Sequence, residues 1–377
     1  MAAKPFLALI SEFAGTLLTF SVVVAPTWSQ EPTDVANLKL WATAVNLRGG
    51  GGYKDNVLLS SMRPEASAFT LAGLEFSAMR LPIDGTDVSF LFSAEDRRFL
   101  DAPDADKEQW VLANATLKRQ LSSRWTLGLA VQYLYMDQVF DASTTEYALG
   151  IVRAHGHVLT GRPSASLALG RSTWFEIEFP VGYSWFAEPL DDYIETGPRF
   201  AIRHTYGHRS EFEFSYQVTG RSYATRQQAS AGGELLSGSS LAYEVQRAEA
   251  SWRHHWDQAR HWRTAAKVGL EANHDNGPGY FDYTRCFGGL QLRYRSGAWE
   301  CSAQAGVGRY DYAVQTASPA DPDLRRKILL TAVAHAEKRF SRHLKLFADY
   351  EYEQSLANWT LDSYQVNTVF GGAEWEF

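Results

Sequence analysis

Charged side chains recur at every second position in several stretches of this 377-residue chain. Glu211 and Glu213 interleave with Phe212 and Phe214, and Glu176 and Glu178 flank Ile177. Arg263 and Lys267 share a run with Trp262, Ala266 and Val268, while Lys345, Asp349, Glu351 and Glu353 alternate with Leu346, Ala348, Tyr350 and Tyr352. Arg199 and Arg203 carry the same spacing. Gathered in one enclosure, such groups do electrostatic work, because fixed charges lining a passage set which ions and solutes enter. The signs are balanced, so weak selectivity is expected, or pairing of the charges across the interior.

Catalytic chemistry is poorly served by comparison. His155 and His157 lie two residues apart and His254 adjoins His255, but no third ligand can be assigned to complete a metal site. His155 and His157 are expected as solvated histidines of the charged face. No motif fixes a serine and a histidine with an orienting partner. Gly49-Gly50-Gly51-Gly52 reads as a flexible loop; no Lys-Ser/Thr opening a helix follows it, so it is no phosphate cradle. Cys286 and Cys301 fall on the apolar face at unequal distances from the intervening turn, which argues against a disulfide. Neither a cofactor nor an enzymatic activity is expected.

The elements that must position the charges are strands, because period two is the strand period. The runs last ten to fifteen residues, about twice the usual strand of a soluble sheet and the length that crosses a bilayer at a tilt. Alternation also explains how 45% hydrophobic residues and 14% aromatics coexist with a mean hydropathy of −0.28. The expected fold is all-β: a transmembrane antiparallel up-and-down barrel of about sixteen strands. The sixth strand is interrupted by Pro163, and the tenth is expected to carry a bulge near Arg247. A net charge of −7 excludes nucleic acid as a principal partner.

Two domains follow. Residues 1–29, with Lys4 ahead of an apolar stretch that ends near Trp28-Ser29, read as a signal peptide; residues 30–377 form the barrel. Short and long connections alternate. Arg124, Arg171, Arg209, Arg260, Arg295 and Arg342 lie in or beside short turns, where they would meet anionic lipid headgroups at a periplasmic rim. The long connections are acidic. The third, Asp141 to Leu149, is short and lacks the features of a constricting loop, so Gly49–Pro64 and Ala229–Ser240 are the candidates to narrow the interior.

The last residues, Gly372-Ala373-Glu374-Trp375-Glu376-Phe377, end the chain on an aromatic with Trp375 two positions earlier. In this pattern the chain resembles the bacterial outer-membrane β-barrel superfamily. The resemblance implies that Gly372, Trp375 and Phe377 belong to a terminal-strand signal for the barrel assembly machinery, and that the protein lies in the outer membrane of a Gram-negative-type bacterium, among its lipids. The strand number is porin-like, and a barrel of that size leaves an aqueous channel. The expected function is a passive, weakly selective pore for small hydrophilic solutes. The alternative is a non-conducting barrel that anchors or assembles another envelope protein, and an outer-membrane enzyme comes third. A homo-oligomer is compatible with either.

Overall fold

The structure, a computed structural model, describes residues 40–377 except 83, 142–150, 208 and 319–320. The expected leader and most of the third long connection lie outside the described residues. The strands are β1 Trp41–Lys54, β2 Ser67–Arg80, β3 Thr86–Phe99, β4 Lys107–Gln120, β5 Trp125–Asp141 and β6 Ile151–Ala168. β7 comprises Thr173–Glu178 and Val181–Phe186, and β8 comprises Tyr193–Thr196 and Arg199–Tyr206. β9 Ser210–Tyr223, β10 Ala242–His255, β11 Trp262–Asp275, β12 Tyr283–Ser296, β13 Trp299–Ser318, β14 Asp321–Arg339, β15 Leu344–Ala357 and β16 Tyr364–Glu376 complete the wall. Neighbours pair antiparallel, and β1 pairs β16 from Asn46↔Glu376 to Lys54↔Thr368, which closes the sheet. Among the described residues the result is a closed sixteen-strand barrel.

Closure decides which face of each strand meets which solvent. Leu127, Leu129 and Val131 of β5, Phe212 and Phe214 of β9, Val268 and Leu270 of β11, and Leu290 and Leu292 of β12 point outward, 41–62% exposed. A band this apolar is stable against lipid and unstable against water. Trp41, Trp125, Trp256, Trp262, Trp299, Trp375 and Phe377 ring the short-turn rim, also exposed, as amphipathic rings do at a headgroup boundary. Cys286 and Cys301 are free; their cross-strand partners are Arg309 and Tyr294 respectively, so they do not face each other.

Two irregularities have a backbone cause. β7 breaks at Phe179-Pro180 and β8 at Gly197-Pro198, where proline supplies no N–H to the ladder. Pro163 sits beside them in an unbroken β6. Each of the three prolines still accepts from the next strand: Pro163 O from Phe179 N at 3.0 Å, Pro180 O from Gly197 N at 3.3 Å, Pro198 O from Val218 N at 3.0 Å.

Two expectations are corrected. The glycine run is part of β1, not a loop, and it lies on the closing seam opposite Gly371 and Gly372. A Cβ on Gly50 would stand 2.2 Å from Gly371 O, and one on Gly372 would stand 2.1 Å from Gly49 O. β10 has no bulge: its register with β9 and β11 is continuous. What changes near Arg247 is the chemistry of one face. Tyr243 and Val245 pack into an apolar lumen cluster, and Arg247 begins the charged part.

Candidate functional site

The lumen is the candidate site, and alternation alone places its side chains. Glu176, Glu178, Arg199, Arg203, Glu211, Glu213, Arg263, Lys267, Lys345, Asp349, Glu351 and Glu353 all lie on the side opposite the lipid-facing residues of their strands. Arg199 bonds Glu213 at 2.6 Å and Glu178 at 3.2 Å, with Glu176 at 4.0 Å. Arg203 takes Glu213 at 2.8 Å and Glu211 at 3.6 Å. Lys345 reaches Glu374 at 3.0 Å, and Glu353 accepts from the Tyr364 hydroxyl at 2.6 Å. Asp349 accepts from Arg48 at 3.3 Å and lies 2.7 Å from His335 Nδ1. Most of these charges pair with one another instead of standing as bare rings, and Arg263 donates to the Gln291 amide oxygen at 2.8 Å.

Arg97 on β3 is the hub of this network, although its neighbours in sequence do not single it out. Its guanidinium bonds Glu95 at 2.9 Å on its own strand and Glu351 at 3.3 Å on β15, and it stacks 4.6 Å from the Phe370 ring. Glu108 lies 4.0 Å away and also accepts from Lys54 at 2.5 Å. Replacing Arg97 with Met leaves three carboxylates near one another in a half-dry wall. Breaking a buried pair from one side typically costs ~3–5 kcal/mol, so the urea midpoint of the refolded barrel in micelles should fall clearly. An unchanged midpoint would show that water already screens this cluster.

The mouth on the long-loop side is bridged. Residues 55–66 turn inward, with Val57 fully buried and Leu59 held at φ 50°. Asn56 ties this segment to β16 through Gln365 O at 2.9 Å and to itself through the Ser60 N–H at 3.0 Å. Asp55 accepts both the backbone and the side-chain N–H of Asn367 at 2.7 Å. Leu59 then packs with Tyr364 and Val366 of β16, against Val139 of β5 and Ile151 of β6. Lys327 of β14 bonds Asp141 at the end of β5, and both are buried. β5 and β14 stand seven strands apart around the wall, so this pair spans the opening. Nearby, Arg325 holds Asp362 and bonds Gln315 at 2.7 Å; burial raises the Asp362 carboxyl above its usual range while Arg325 pulls it down.

The third connection therefore contributes to the constriction through its flanks, against expectation. Of the two candidate loops, residues 55–66 enter the lumen at the mouth, and the connection after β9 packs Ala229 and Leu241 onto the lumen cluster with Tyr223, Tyr243 and Phe281. Asp141 was missed because it reads as a loop carboxylate. Only its burial against Lys327 reveals the role.

His155 and His157 are not lumen residues. They face outward beside Leu159 and belong to an aromatic cluster, His157 stacking on Trp185 at 5.2 Å and meeting the Tyr133 hydroxyl at 2.8 Å. The lumen side of β6 is instead taken by Ala154 and Val158, which pack the β4–β6 wall, with Gly156 buried between them. Ser210 and His254 approach to 3.1 Å, but Ser210 is 1% exposed and also accepts the His255 N–H; that hydroxyl positions backbone. No group of three or more metal-binding side chains occurs among the described residues. Arg124, Arg171, Arg209, Arg260, Arg295 and Arg342 are exposed at the short-turn rim, Arg209 and Arg260 at positive φ. Gly372 lies in the seam, and Trp375 and Phe377 point outward at the same rim.

Below the bridged mouth lies a cleft of about 70 Å³, partly open to solvent, whose walls come from β1 to β4 and β11 to β16. Its lining includes Arg48, Arg97, Trp110, Arg263, Arg293, Glu300, Asp349 and Glu374. This arrangement can hold water and polar solutes; it offers no activated nucleophile.

No protein-family model matches the chain, and no curated protein does. Solved structures similar to it include OccAB1 of Acinetobacter baumannii, at 7% identity and TM-score 0.49 over 89% of this chain and 96% of that one. OccK9 of Pseudomonas aeruginosa follows at 8% and 0.48, covering 89% and 98%. An anion-selective porin from Comamonas acidovorans stands at 11% and 0.43, covering 89% and 99%. The closed sheet, the apolar outer belt and the polar lumen make the chain a sixteen-strand transmembrane β-barrel.

Proposed function

We propose that the chain is a passive outer-membrane pore for small hydrophilic solutes, weakly selective among ions, with its narrowest point at the long-loop mouth. The supporting observation is the partly solvent-open cleft lined from ten strands, nine of which supply charged groups. A lumen meant only to be filled would gain more from apolar packing, since buried ion pairs add little net stability. The mouth, in contrast, is narrowed by contacts of a kind that can break: one ion pair and a small apolar cluster between opposite walls.

The paired lumen charges and the bridged mouth also suit the alternative reading, a non-conducting barrel that anchors another envelope component. Planar-bilayer recording with the folded protein separates the two. Discrete conductance steps with a reversal potential near zero in a salt gradient support the pore. Folded protein that gives no steps, with the mouth bridge intact or removed, establishes the non-conducting barrel.

A further inference from the structure

Outside the lumen, the wall made by β5, β6 and β7 carries a furrow. The outward side of β6 presents Gly161, Pro163 and Ala165. Their cross-strand neighbours are large: Val131, Leu129 and Leu127 on β5, and Val181, Phe179 and Ile177 on β7. These six flanking side chains are 41–48% exposed, and a Cβ on Gly161 would meet nothing within 4 Å. The two ridges stand two strand spacings apart, about 10 Å, with a floor one strand wide that a hydrocarbon chain can follow.

Toward the long-loop rim the furrow runs into rings. Leu159 is followed outward by His157 and His155, and the Tyr135 ring lies 5.1 Å from the first and 5.7 Å from the second. Trp185 stacks on Tyr183 at 5.5 Å beside them. Rings with a polar edge settle at headgroup depth. One step higher the same face is charged. Arg153 bonds Asp137 at 2.7 Å and Asp106 at 3.0 Å, and Lys107 bonds Asp137 at 3.1 Å. The two cations cover that carboxylate, whose side chain is 2% exposed, and stay 35% and 25% exposed themselves. Arg98, paired with Asp96 at 2.9 Å, adjoins Lys107. The crown therefore presents three cations outward against two acids, Asp96 and Asp106.

Furrow, rings and cations follow one another up one strand in the order of the parts of a phosphorylated lipid: tail, linker, phosphate. We propose that this face of β4 to β7 is a docking site for one phosphorylated glycolipid of the leaflet on the long-loop side. An acyl chain lies along Gly161, Pro163 and Ala165. The sugar rests on His157 and Trp185, because apolar ring faces pack against the C–H faces of a sugar. Lys107 and Arg153 donate to the phosphate oxygens. The site lies outside the lumen, so it rests on the membrane placement of the barrel and not on the pore reading.

The test is native mass spectrometry of the full barrel released from micelles that contain bisphosphorylated lipid A, or the same lipid stripped of both phosphates. One retained adduct with the first lipid and none with the second is expected. Gly161→Leu fills the furrow and should cut retention about threefold, since packing and not exclusion from water drives contact within a bilayer. Ala334→Leu, exposed on the opposite wall, should change nothing. Lys107→Gln/Arg153→Gln removes both phosphate contacts and should cut retention about tenfold. If that variant fails to reach the compact form on an unboiled gel, Gly161→Leu decides alone. No adduct, equal retention of the stripped lipid, or undiminished retention in Gly161→Leu would overturn the proposal. So would a dimer in place of the adduct, which would give the furrow to a second copy of the chain. Silent bilayers leave this binding untouched, and its failure leaves the conductance steps untouched.

Discussion

Lys327→Met should release the long-loop mouth and give larger single-channel steps than wild type. The substitution keeps most of the side-chain volume and removes only the charge, leaving Asp141 as a carboxylate buried against Tyr364 and near Asp362. An unpaired buried charge costs ~3–5 kcal/mol, and the end of β5 escapes that cost by swinging into water. A penalty of that size shifts the open-to-bridged ratio by more than ~100-fold. The double variant Asp141→Asn/Lys327→Met removes both charges and should open less than the single one. Equal steps in all three proteins would mean that residues 55–66, and not the ion pair, set the constriction.

Gly50→Ala should prevent the barrel from closing, whereas Gly49→Ala should be tolerated. The two positions are neighbours on the same strand but face opposite ways. A Cβ on Gly49 meets nothing within 4 Å, while one on Gly50 lies 2.2 Å from the carbonyl oxygen of Gly371. Overpacking a side-chain contact costs ~1–3 kcal/mol because rotamers can shift; here the obstacle is backbone on the strand that must zip last. Loss of the compact form of Gly50→Ala on an unboiled gel, beside a normal Gly49→Ala, is the expected result. Compact migration of both would mean that β1 and β16 can move apart at the seam without losing closure.

The fold was legible because a barrel writes itself locally. Each strand alternates for its whole length, so Glu211, Glu213 and Phe212 declare their faces without knowledge of any partner. Alternation misled only where a face changed character. On β10 the lumen side runs from Tyr243 and Val245 to Arg247, and the sequence reads as a slip of register although the ladder is regular. On β6 two histidines face outward, where aromatic partners from β5 and β7 pack beside them.

The site was legible in part. Which side chains line the lumen follows from parity. Which ones meet does not, because contacts such as Arg97–Glu351 and Asp141–Lys327 join residues 254 and 186 positions apart, brought together only by closure. The glycine run shows the same limit. Four glycines in a row look like a loop until Gly371 and Gly372 arrive on the facing strand.

Liposome swelling with sugars of graded size tests the central claim most directly, because it asks whether a neutral solute crosses the folded barrel. Uptake that falls with solute size, and that rises in Lys327→Met, is the predicted result. No uptake of the smallest sugar by either protein, each shown to be folded and inserted, would contradict it.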